Sequence, residues 1–134
     1  MLDSGASDHV GDGSAAPEIP VEPSPGSQRG LTYGCAGGKE IPNEGQQRLP
    51  LVTCSGNKAG LTFQVAEVSK NLASVSKVCD MGNRVIFGKG GGVIQNLHSG
   101  IITPVRRQGG IYILDLWLDR QQGRNGPFPR QGRR

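Results

Sequence analysis

The chain has 134 residues, with 22 glycines, 9 prolines, 34% hydrophobic and 4% aromatic residues. That length bounds it to one domain with a modest core, and the turn-rich, aromatic-poor composition favours an all-β chain over a helical bundle. Residues 119–134 hold five arginines and one aspartate and so carry the whole formal charge of +4, while the first 28 residues hold five acids and no base. The high pI therefore belongs to a tail rather than to a nucleic-acid-binding face. No run of about 18 apolar residues and no signal peptide is visible, so a membrane span is not expected.

In chain order, Asp3-Ser4-Gly5-Ala6 comes first and reads as a tight turn. Gly5 lets the backbone bend beneath the Asp3 carboxylate, Ser4 can supply an anchoring hydroxyl, and small Ala6 lets another chain approach. Residues 11–30 carry Pro17, Pro20, Pro23 and Pro25 among Ser, Gly and acids, which predicts an extended loop without helix. Residues 31–36 read as a strand, Gly37-Gly38 as a turn, and residues 39–47 as irregular. A hairpin follows: Leu49, Leu51 and Val52 lead to a turn at Ser55-Gly56-Asn57, and Leu61, Phe63 and Val65 return on one face. Leu72, Val75, Val78 and Cys79 recur at helical spacing, with Asn71 suited to the N-cap and Gly82 to C′, so a helix of about three turns is predicted over 71–82. Strands 84–87 and 93–96 flank the turn at 88–92, and strands 101–105 and 111–117 flank the turn at 106–110. Beyond Leu118 the pattern stops, and residues 119–134 are expected to be a disordered basic tail.

Other chemistry is argued down on spacing. Lys89 lies among glycines but lacks the Gly-x-x-x-x-Gly-Lys-Ser/Thr order of a phosphate loop and is followed by a strand. Ser4, Asp8 and His9 are hydrolytic side chains, yet they fall within residues 4–9 and cannot converge from separate elements as a triad must. Cys35, Cys54 and Cys79, with His9 and His98, show no ligand-pair spacing, which argues against a metal and fits reduced thiols in an intracellular protein. The Arg-Gly tail can make a weak nucleic-acid contact, but it lacks a stacking platform beyond Phe128.

Larger blocks carry a resemblance. Asp3-Ser4-Gly5-Ala6-Ser7-Asp8-His9 matches an Asp-Ser-Gly-Ala-Ser-x-His opening. Asn71-Leu72-Ala73-Ser74-Val75, then Gly82-Asn83-Arg84-Val85-Ile86-Phe87, matches Asn-Leu-x-Ser-Val followed by Gly-x-x-Val-x-Phe. Gly110-Ile111-Tyr112-Ile113-Leu114-Asp115 matches a closing Gly-x-Tyr-x-Leu-Asp strand. In this order the blocks resemble copia-type retrotransposon aspartic proteases, over about residues 2–117.

The resemblance implies a retropepsin-like acid-protease β-barrel over 1–118, with hairpins and one short helix. It implies catalytic Asp3, Ser4 and Gly5, substrate contacts from Ala6, Tyr33, Gly37 and Gly38, and no metal or other cofactor. The partners it implies are a peptide or polyprotein substrate and a second copy of the chain. Two carboxylates must share a proton, the chain has one Asp-Ser-Gly, and neither Asp12-Gly13-Ser14 nor Asp80-Met81-Gly82 is a second copy, so Asp3 of each subunit would meet at a two-fold axis. A flap is implied from residues 33–48, with Gly34, Gly37, Gly38 and Gly45 as hinges, and Ala73-Ser74-Val75 is implied beneath the catalytic loop. Only Met1 and Leu2 precede Asp3 where relatives carry an apolar strand. A loop tethered on one side, within a piece of a longer polyprotein, is therefore expected. The alternative function is a catalytically inactive remnant serving as a β-rich binding or structural module.

Overall fold

In a computed structural model the chain is described over residues 1–34 and 37–120. The elements are β1 (Leu2–Asp3), β2 (Val10–Gly11), α1 (Pro25–Gln28), β3 (Thr32–Gly34), β4 (Glu40–Pro42), β5 (Gly45–Thr53) and β6 (Lys58–Val65). They continue as β7 (Ala73–Ser74), α2 (Val75–Asp80), β8 (Asn83–Gly88), β9 (Gly91–Asn96), β10 (Ile102–Gln108), β11 (Ile111–Ile113) and β12 (Leu116–Leu118). Among the described residues strands make up 47% and helix 8%, in curled half-barrel sheets, so the all-β class holds.

The described residues form three sheets: β7-β1-β11-β10-β9-β8, β12-β5-β6-β2, and the two-stranded β3-β4. The β5–β6 hairpin falls where the alternating pattern places it, with Leu49 opposite Leu61. Their inward residues join Leu51 and Ala16 in one apolar cluster. A second cluster, Leu2, Ala73, Val78, Ile94 and Val105, lies behind β1. A third, Val10, Ile41 and Ala66, sits at the root of β3-β4 with Tyr33 against it.

Five expectations change. The helix begins at Val75, not after Asn71, because Leu72 and Ala73 are already used in pairing: Leu72 bridges Val10 and Ala73 lies parallel to Leu2. Tertiary pairing outweighs the helical spacing, and Ser74 becomes the N-cap, accepting from the Lys77 N–H at 3.2 Å. Gly82 follows the helix end at φ +86°, in the role assigned to it.

Residues 11–30, expected to be an extended loop without helix, form a packed segment. The buried Gln47 side chain donates to the carbonyls of Ala16 (3.0 Å) and Ile19 (2.9 Å), and Glu22 bridges Gln46. The segment also contains the one-turn helix α1, with Pro25 at its first position and Ser24 and Ser27 forming a capping box. Residues 39–47 are not irregular, since they supply β4 and the start of β5. The strand expected over 111–117 breaks at Leu114-Asp115 and passes from the six-stranded to the four-stranded sheet. There Arg106 binds Asp115 through two hydrogen bonds, which hold its carboxyl below the usual range. The packed body reaches Asp119, which is buried and bridged by Lys58 at 3.2 Å, and Arg120, which pairs with Glu18. The remainder of the basic tail lies outside the described residues.

Candidate active site

Asp3 ends β1, and β1 is held on both sides: Leu2 and Asp3 pair with Ala73 and Ser74 of β7, and Leu2 pairs with Tyr112 of β11. The one-sided tether expected from the short lead-in is therefore corrected, because two residues suffice to enter the sheet when neighbours flank both edges. Beyond Asp3 the chain turns, with the Ala6 N–H reaching the Asp3 carbonyl at 3.4 Å and the Gly5 N–H donating to Asp3 Oδ1 at 2.8 Å. The carboxylate is thus oriented by its own loop. A Cβ at Gly5 would stand 3.3 Å from Oδ1, so the close approach of the carboxylate is what suits glycine here. Asp3 is partly buried, and Ser4 and Gly5 are exposed beside it.

The hydroxyl that anchors the loop is Ser74's, not Ser4's. Ser74 is fully buried, and its Oγ donates to the Ala6 carbonyl at 2.7 Å. Its N–H donates to Nδ1 of buried His9 at 2.9 Å. Val10 and Leu72 exchange backbone hydrogen bonds of 3.0 and 2.8 Å, and the Gln64 N–H donates to the His9 carbonyl at 2.8 Å. Residues 72–74 therefore hold the start, middle and end of the loop at once, placing Ala73 and Ser74 beneath it. Burial, reinforced by the Lys77 charge and opposed by Asp8, pushes the His9 pKa below its ordinary value. The buried ring is thereby kept neutral.

The β3-β4 hairpin rises next to this loop. The Tyr33 hydroxyl donates to Asp8 Oδ2 at 2.9 Å and accepts from Asn43 Nδ2 at 3.1 Å, while Asn43 also reaches Gln64 Oε1 at 2.9 Å. Burial first, and the Asp8 bond second, push the Tyr33 phenol well above its ordinary pKa, so it remains a donor. Lys77 approaches the other Asp8 oxygen at 3.9 Å. Gly37 and Gly38 lie exposed at the hairpin tip with φ of +92° and +83°, a backbone that favours glycine. Gly45, read as a hinge, is instead buried with the Glu22 carbonyl against its α-carbon: a Cβ there would lie 2.5 Å from that oxygen. Cys35 and Ala36 lie outside the described residues.

The structure thus brings Asp3, Ser4, Gly5 and Ala6 into one turn and roots Tyr33 beside it, with Gly37 and Gly38 at the tip of the same hairpin. Asp12 accepts from the Ser14 N–H and hydroxyl within its own turn, and Asp80 is exposed at the end of α2. Sequence reasoning gave no role to His9 or Asn43. His9 stood in the opening block, and that was its signal; Asn43 had none. Among the described residues no group of three His, Cys, Asp or Glu could hold a metal, and no helix is long and apolar enough to cross a membrane. Comparison with protein-family models, curated proteins and solved structures found no match.

Proposed function

We propose that the chain is an aspartic endopeptidase of retropepsin-like architecture. Within that class the ordered sequence blocks favour a copia-type retrotransposon protease that cleaves its own polyprotein. The observation that carries the reading is the Asp3 loop: a partly buried carboxylate at the end of a clamped strand, fixed by the Gly5 N–H in a turn fastened by Ser74. Such a site needs positioning to within about half an ångström, and the hydrogen bonds that hold the loop support the reading.

In the proposed dimer Asp3 of each subunit meets at the two-fold axis. Repulsion between the two carboxylates keeps one protonated while the other is ionised. The ionised one takes a proton from the attacking water, and the protonated one polarises the scissile carbonyl. No acyl-enzyme forms. The β3-β4 hairpin covers the extended peptide and excludes bulk water, with Tyr33 fixing its root and Gly37-Gly38 its tip.

The test is the concentration dependence of cleavage on a peptide library at about pH 5, where a shared-proton dyad works. Specific activity should fall on dilution in step with the dimer-to-monomer transition seen by sedimentation. Full activity from a strict monomer would overturn the shared site. A dimer that cleaves nothing would favour the binding or structural module.

A further inference from the structure

We infer that His9 is a positioning residue whose neutral ring clasps the aspartate loop to β7, and that its protonation sets an acid limit on the site. The part concerning activity rests on the proposed protease reading; the clasp itself does not. His9 Nδ1 accepts the Ser74 N–H at 2.9 Å, so the ring carries its proton on Nε2. Its main chain is fixed separately, through the Gln64 N–H on β6. His9 therefore links β6, through its carbonyl, to β7, through its ring, and ties the far end of the loop. Ser74 Oγ ties the middle at Ala6, and β1 ties the near end.

Protonation would place a second N–H on Nδ1, directly facing the Ser74 N–H. A buried acceptor would become a donor opposite a donor, and both groups would be left unsatisfied. Every element packed on the ring bears on this. Lys77 of α2 opposes protonation and Asp8 of the loop favours it, while Phe63 and Gln64 of β6 and Ser74 of β7 carry no charge. Burial is the largest influence and also opposes protonation.

Above the ordinary histidine value of 6.5 both folded and unfolded states are neutral, and the clasp contributes fully. Below it the unfolded chain binds a proton that the folded chain resists, so stability falls as pH drops toward the lower folded value and then levels. The dyad needs acid, and His9 limits how much acid the loop tolerates.

The experiment compares the wild-type chain with His9→Asn, whose carboxamide oxygen accepts the Ser74 N–H without titrating. Hydrogen exchange at the Ser74 amide, corrected for intrinsic rate, is followed from about pH 8 to pH 4, spanning the histidine range. Wild type should lose protection about tenfold or more on acidification, as a buried hydrogen bond is lost, and His9→Asn should not. In cleavage, the acid limb of kcat should move to lower pH in His9→Asn, with KM little changed. Identical acid dependence of Ser74 protection in the two proteins would overturn the inference. If His9→Asn does not fold, ring-nitrogen NMR of the wild type decides: a proton on Nε2 above neutral pH supports the clasp, and one on Nδ1 refutes it. Loss of the protease reading leaves the exchange and NMR results standing, so the two failures are distinguishable.

Discussion

Asp3→Asn is expected to lower turnover by about a thousandfold or more, the scale of losing a positioned acid–base group, while the fold survives. Asparagine keeps an oxygen where Asp3 Oδ1 accepts the Gly5 N–H at 2.8 Å, so the turn has no reason to open. Leu2 and Ala73, which seat β1 in its core cluster, are untouched. What is lost is the proton-bearing carboxyl, and it is lost from both subunits of the proposed dimer together. Steady-state cleavage beside a thermal melt checks this. Equal cleavage by the two proteins would remove Asp3 from the chemistry, and a collapsed melt would show that the carboxylate serves the fold instead.

Ser74→Ala should cost about 2–4 kcal/mol of stability, combining a lost N-cap with a buried carbonyl deprived of its donor. Ser74 is fully buried, so water cannot readily replace what the hydroxyl supplies. Its Oγ both donates to Ala6 at 2.7 Å and accepts from the Lys77 N–H at 3.2 Å. The same change frees the middle of the aspartate loop, so cleavage should fall further than the folded fraction does. Urea unfolding gives the first quantity, and kcat measured well below the unfolding midpoint gives the second. A loss under about 0.5 kcal/mol, the range of an ordinary surface change, would mean that the loop is not held by this residue.

The all-β class was legible because Leu49 and Leu51, then Leu61, Phe63 and Val65, alternate on strands that pair with their sequence neighbours. The turn at Asp3-Ser4-Gly5-Ala6 was legible for the same reason: its chemistry is local. What was hidden depends on distant partners. Leu72 and Ala73 fit a helix by spacing and become strand-like only because Val10 and Leu2 pair with them. The prolines of residues 11–30 suggest an extended loop, and nothing local announces that Gln47 caps two of its carbonyls. His9 and Ser74 lie 65 residues apart, so their hydrogen bond leaves no periodic trace. The loop that carries the proposed chemistry could be read from the sequence, but the clamp that orders it could not.

The shared site is tested most directly by refolding wild-type and Asp3→Asn chains together in equal amounts and measuring cleavage against wild type at the same total concentration. If each active centre takes one Asp3 from each of two subunits, random pairing leaves about a quarter of the dimers intact and activity falls to about that fraction. Activity that falls only to about half, in proportion to the wild-type chains present, would mean that each chain works alone and would contradict the two-subunit dyad.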